Sequence, residues 1–190
     1  MSVIVIGGGA GGMEATCRLV RALPHEIEAC VVIALSAGDR ELGHVARHTT
    51  LPVLTAASGQ TPAAGHIYLA PFDRHLVVRA PGLLDIDDGP KVRGVRPSAN
   101  LLFESAAAVF GGRVIGVVLS GGDGDGTHGL AAIKAHGGIS IVQSPADAPE
   151  PSMPVNALIH GSPDHTVLLD ELGDLIVQLV SDRRQEFNSR

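Results

Sequence analysis

Residues 3–6 (VIVI) are apolar at every position, and the run stops at GGGAGG, residues 7–12. Strands that are apolar throughout, rather than at alternate positions, are those covered on both faces, as in a parallel sheet. The same pattern recurs at 30–35 (CVVIAL), and 114–120 (VIGVVLS) reads as a further buried strand and 139–143 (ISIVQ) as another strand. Between these runs the apolar positions take helical spacing over 13–23, closed by Pro24, over 39–48 after Gly38, over 98–110, over 127–136 and from Leu168 onward. Residues 66–71 (HIYLAP) and 75–80 (HLVVRA) flank a turn at 72–74 and read as a hairpin, with a further short strand at 83–86 and a proline-rich loop running through Pro154. Strands alternating with helices in this order predict an α/β fold, a doubly wound, mostly parallel sheet with helices on both faces and an inserted antiparallel hairpin.

Composition narrows the class. With 190 residues, 45% of them hydrophobic, the chain is long enough for one well-buried domain, expected to span 1–190. Aromatic residues are only 3% and glycines number 24, so the core is built from Val, Leu, Ile and Ala, with helices packed closely on the sheet. The net charge is −6 and the 14 Lys and Arg residues are scattered, which argues against nucleic acid as a partner, since phosphate binding needs clustered cations. No apolar run approaches the roughly 20 residues of a membrane span, so no membrane insertion is expected. Cys17 and Cys30 form no CxxC and no Cys/His cluster at zinc spacing in the sequence, and no charged segment precedes the first apolar run. These features point to a reduced, cytoplasmic protein.

In an open α/β sheet, ligands gather at the carboxyl ends of the strands. Three loops therefore become the candidate site: GGGAGG, LSAGD at 35–39 and SGGDGDG at 120–126. Gly7, Gly9 and Gly12 match G-x-G-x-x-G between a strand and a helix, the context of a dinucleotide phosphate loop. That reading also asks for an acidic residue at the end of the second strand, where the chain has Ser36, with Asp39 three residues on.

The alternative comes from all the loops together. GGGAGG, the segment YLAPFDRH, the segment DDGPKVRGVRPSANLLFES, the stretch GVVLSGGDGDGTHG and the SMP at 152–154 resemble, in order and spacing, the catalytic domain of the CheB-type protein-glutamate methylesterases of bacterial chemotaxis. The resemblance implies hydrolysis of glutamyl methyl esters on chemoreceptors and deamidation of receptor glutamines by a Ser/His/Asp triad, without a metal or organic cofactor. It also implies a chemoreceptor or other methylated protein helix as partner, and a methyltransferase as a further one.

Carried over residue by residue, the resemblance leaves two of the three triad positions changed. The nucleophilic serine falls on Gly9 and the histidine on Ser36, while the acid is kept as Asp125. The backbone amides of Gly122 and Ala10 take the oxyanion-binding places. Arg96, Pro97 and Ser98 match the family's R-P-S, Asp73 and His75 match its hairpin turn, and Met153 and Pro154 match its late M-P. Arg96 is expected to bind a carboxylate of a receptor helix or, failing that, to pair with Asp85, Asp87 or Asp88. Asp125 has a second reading, as an N-cap for the amides of 127–129. Met1 stands immediately before the first strand, which leads to the expectation that no receiver domain precedes it. The expected outcome is an impaired or non-catalytic domain that acts by binding. The alternatives are a dinucleotide-binding domain and a hydrolase with Ser36 as relocated nucleophile, served by His128, His44 or His48. His44 and His48 stand one helical turn apart, a metal-ligand spacing that without an accompanying glutamate reads as a solvated helix face.

Overall fold

The structure, a computed structural model, describes residues 1–36 and 41–188. Its first strand, β1 (Ser2–Gly8), is buried along its whole length. Ile4 and Ile6 enter one apolar cluster and Val3 and Val5 enter another, as the two-residue period of a strand requires. The chain continues through α1 (Gly12–Arg21), β2 (Ala29–Leu35), α2 (Glu41–Ala46), β3 (Val53–Thr55) and β4 (Ile67–Leu69). An excursion follows, β5 (His75–Arg79) and β6 (Leu83–Asp87), and then α3 (Ala99–Phe110), β7 (Val114–Val118), α4 (Thr127–Ala135), β8 (Ile139–Gln143), α5 (Ser152–Gly161), β9 (His165–Val167) and α6 (Leu169–Asn188).

Seven strands form one sheet in the order β3-β4-β2-β1-β7-β8-β9, every neighbouring pair parallel. On one face Ile4, Ile6, Ile33 and Ile115 meet Leu19 and Val20 of α1 and Leu172 and Ile176 of α6. On the other, Val3, Val5, Val32 and Val118 meet Leu102 and Phe103 of α3 and Leu130 and Ile133 of α4. Small residues let these layers approach. A Cβ at Gly7 would collide with that of Ala99, and one at Gly129 would lie 2.5 Å from the Cβ of Phe103. Because β1 sits between β2 and β7, the strand order reverses at its carboxyl end, where an α/β sheet opens a crevice.

The predicted architecture holds, with three corrections. The first concerns the hairpin: 67–69 joins the main sheet as β4, parallel to β2 and β3, and β5 pairs instead with β6. Residues 67–69 are all buried, which suits a doubly covered strand, and Pro81 and Gly82 supply the tight turn, Gly82 at φ 127°. Secondly, the proline-rich loop ends in a helix, α5, whose Pro154 lies in the first turn, where a missing N–H breaks no intrahelical bond. Thirdly, the three-residue strands β3 and β9 went unread, being too short to carry a period. Gly38, read as the boundary of the second strand, and Asp39, read as the start of the second helix, lie outside the described residues. Among the described residues no helix is long and apolar enough to cross a membrane.

Candidate functional site

The carboxyl ends of β1, β2 and β7 are tied together by backbone. Ser36 N–H donates to Gly8 O at 3.0 Å, Leu119 N–H to Gly7 O at 2.9 Å and Gly9 N–H to Ser120 O at 2.9 Å. Gly9, Ser36, Gly121 and Gly122 are thereby brought to one edge. A side chain at Gly9 would enter the space between them, its Cβ 3.2 Å from Ser36 Oγ, 3.2 Å from Gly121 Cα and 3.7 Å from Gly122 N. Gly9 itself is outside the left-handed region; Gly11, the N-cap residue just before α1, is the residue of this turn at φ 77°.

Ser120 braces the turn. Its hydroxyl donates to Ala10 O at 2.8 Å and accepts from Glu150 N–H at 3.0 Å, and its own N–H donates to Gln143 Oε1 at 2.9 Å. Gly121 is held between Glu150 O and Met153 N–H, both at 2.8 Å, and a Cβ on it would collide with Met153 Sδ. Met153 thus forms the floor beside Gly121. Gly122 and Ala10 are exposed, and a Cβ at Gly122 would meet nothing within 4 Å. Among the described residues neither the Ala10 nor the Gly122 amide donates a hydrogen bond, so two N–H groups at this edge are open to a ligand.

Asp125 is 5% exposed and acts across two helices. Its Oδ1 accepts from the Ser98 hydroxyl at 2.8 Å and Asn100 N–H at 3.1 Å, and its Oδ2 from Ala99 N–H at 2.5 Å. It therefore caps α3, not the amides of 127–129 in α4, the helix that follows it. Asn100 in turn reaches α4, its Oδ1 accepting from Gly129 N–H at 2.8 Å. A carboxylate has about four acceptor sites, and Asp125 uses three.

His75 supports the same junction, a role its place in the motif did not disclose. It is fully buried; Ser98 N–H donates to its Nδ1 at 3.1 Å, so the ring proton sits on Nε2, 3.0 Å from Pro90 O. Arg96 pairs in a fork with Asp73, Nε to Oδ1 at 3.2 Å and Nη2 to Oδ2 at 2.8 Å, and its Nη1 donates to Gly89 O at 2.8 Å. The expected pairing of Arg96 with Asp85, Asp87 or Asp88 is not what forms: Asp85 and Asp87 pair with Arg79, and Asp88 with Arg74. The hydrogen bonds from Arg96 hold the Asp73 carboxyl below its ordinary value.

The histidines considered as a relocated base are engaged elsewhere. His128 Nε2 lies 3.1 Å from Arg93 Nη2, and His44 stacks on His48 with ring centroids 5.3 Å apart. Among the described residues Ser36 Oγ has no hydrogen-bond partner. The glycines of the G-x-G-x-x-G match have packing reasons: Gly7 faces Ala99 and Phe103, and a Cβ at Gly12 would lie 3.1 Å from Ser120 O. Asp39, the acid nearest the end of β2, is outside the described residues.

Residues 4–176 match the model of a known family, CheB methylesterase. The chain belongs to the CheB methylesterase family. It is 36% identical to the protein-glutamate methylesterase FrzG of Myxococcus xanthus over 94% of this chain and 54% of that one. A Leptospira interrogans relative is 32% identical over 93% of both chains. Protein-glutamate methylesterase/protein-glutamine glutaminase 2 of Koribacter versatilis is 31% identical over 98% of this chain and 53% of its own. This chain spans about half the length of the Myxococcus and Koribacter proteins and nearly all of the Leptospira one. Its fold is that of the Thermotoga maritima CheB methylesterase catalytic domain, with a TM-score of 0.90 over 94% of this chain and 98% of that one, at 24% identity.

Proposed function

We propose that this CheB methylesterase family domain no longer runs triad hydrolysis and works in the cytoplasm as a binding module for helices that carry glutamyl methyl esters or glutamines, chemoreceptor segments in particular. The observation that carries the reading is the space beside Gly9. It is bordered by a small hydroxyl at Ser36 where the family's imidazole is expected, and it lacks a side chain where the serine is expected. Nucleophile and base act as a unit, and loss of either lowers turnover by on the order of 10^6 in a serine hydrolase.

What stays in place suits holding a carbonyl. The amides of Ala10 and Gly122 are the ones that the resemblance assigns to oxyanion binding, and free N–H donors of this kind can hold the carbonyl of an ester or a side-chain amide, which supports the reading. The names of the relatives, which join methylesterase and glutaminase, support this ligand class. Asp125 keeps its capping role for α3 and so remains needed without catalysis. Arg96, fixed by Asp73, shapes the loop beside it and keeps a receptor-facing role only through what its fork leaves exposed.

Fluorescence anisotropy with a labelled helical peptide bearing glutamyl methyl esters tests the reading. Saturable binding is expected, with no methanol released, and Gly122→Leu, which fills the open space at the site, is expected to weaken it by about 10-fold, the worth of 1.4 kcal/mol. Absence of binding by the folded chain, or methanol release during the titration, would overturn it.

A further inference from the structure

The helices that follow β1 and β2 carry a cluster which the site beside Gly9 does not use. Cys17, 1% exposed, lies on α1; His44 lies on α2, and His48 in the turn after it. One ligand atom from each, the thiol sulfur and one nitrogen of each ring, fall within 4.8 Å of one another. The sequence shows the spacing of the two histidines but not the thiol, which only the packing of α1 against α2 brings to them.

A second observation is independent of this proximity. His48 Nδ1 is buried and has no hydrogen-bond partner among the described residues. Buried polar atoms in native structures are nearly always satisfied, and one that is not calls for a water or an ion. The stacking of the two rings leaves both edges near the sulfur and makes no polar bond of its own.

We propose that Cys17, His44 and His48 form a binding site for a late first-row divalent metal, Zn²⁺ foremost, with the fourth tetrahedral position open. Thiolate and imidazole are the donor set that zinc prefers. With Zn–S near 2.3 Å and Zn–N near 2.0–2.1 Å, tetrahedral ligand atoms stand about 3.3–3.6 Å apart. Closing from 4.8 Å takes side-chain movements of about 1 Å. Burial pushes the Cys17 thiol up. A bound metal would tie α1 to α2. The site stands apart from the proposed binding function and does not depend on it.

Cobalt is the probe, because a thiolate on Co²⁺ gives a near-ultraviolet charge-transfer band and tetrahedral Co²⁺ gives strong visible bands. The full chain, reduced and stripped with a chelator, is titrated with Co²⁺ and then with Zn²⁺ while circular dichroism follows the fold. Expected are one Co²⁺ per chain with a charge-transfer band, and its displacement by Zn²⁺. The band is lost in Cys17→Ala and kept in Cys30→Ala, whose thiol is buried in β2. His44→Gln, at a partly exposed position, keeps the experiment decisive should Cys17→Ala fail to fold. It is expected to weaken Zn²⁺ binding by about 10-fold or more, the loss typical of even an outer-shell partner. The proposal is overturned if the folded chain gives no charge-transfer band, if the band survives Cys17→Ala, or if His44→Gln binds Zn²⁺ as the unaltered chain does.

Discussion

Gly9 and Ser36 face each other across the ends of β1 and β2: the register pairs Gly8 with Leu35, and a Cβ on Gly9 would stand 3.2 Å from Ser36 Oγ. Two positions that the resemblance assigns to nucleophile and base, 27 residues apart in the chain, are thus neighbours in space. The spacing is short enough that a serine and a histidine there would touch. The backbone that would hold them in contact remains, fixed by the bonds among Gly8, Gly9, Ser36 and Ser120.

Asp125 is expected to matter for stability whether or not chemistry occurs. Asp125→Ala leaves the Ser98 hydroxyl and the first amides of α3 without their acceptor, and urea unfolding is expected to show a loss of about 1–3 kcal/mol. Unchanged stability would mean that the cap is idle.

The Asp73–Arg96 pair gives a pH dependence with a definite sign. The folded Asp73 carboxyl is held below its ordinary value, first by its hydrogen bonds from Arg96. Its contribution is therefore full above the unfolded value of about 3.9 and is lost as the pH falls through the lower folded value. The stability gap between the unaltered chain and Asp73→Asn is expected to be flat from neutral pH to about pH 4 and to close below it. A gap that widens in acid would contradict the assignment of the pair.

Much of this was legible in the sequence, and the exceptions have physical causes. The buried strands read at 3–6, 30–35 and 114–120 announce themselves because both faces are covered and nearly every residue is apolar. The site loops follow from the strand ends. The partner of β5 is not legible because residues 67–69 and 83–87 are both short, and strand pairing depends on which turn closes; the glycine at 82 outweighs the run 72–74. Asp125's partners were not legible, since the helix it caps starts 26 residues earlier in the chain. The same is true of Arg96, whose fork with Asp73 spans two loops, and of Cys17, which meets His44 and His48 only through helix packing.

Adjacent glycines at the site are expected to respond in opposite ways. Gly121→Ala drives a methyl group into Met153 and is expected to cost about 1–3 kcal/mol, as overpacking does. Gly122→Ala, opening into free space, is expected to change stability by less than about 0.5 kcal/mol. Thermal or urea melts of the two variants side by side decide it; equal effects would contradict the placement of Met153 against Gly121.

Gly9→Ser with Ser36→His is expected to rebuild a measure of ester hydrolysis that neither change gives alone. Gly9 is outside the left-handed region, so a serine is allowed there, with a shift of a few tenths of an ångström at Gly121. Asp125 has one acceptor site left to orient an imidazole. Hydrolysis of a p-nitrophenyl-linked ester by the four variants should show a double mutant that exceeds the sum of the singles, and Asp125→Ala in that background should remove the gain. A folded double mutant with no gain would mean that positions 9 and 36 do not correspond to nucleophile and base.

Methanol release from a methylated chemoreceptor helix tests the central claim most directly. The unaltered chain is incubated with the methylated segment, alongside a relative that hydrolyses it. The account predicts release at the background rate for this chain, with no covalent labelling by a fluorophosphonate probe. Turnover above background that is lost in Ser36→Ala would contradict it and would place the nucleophile at Ser36.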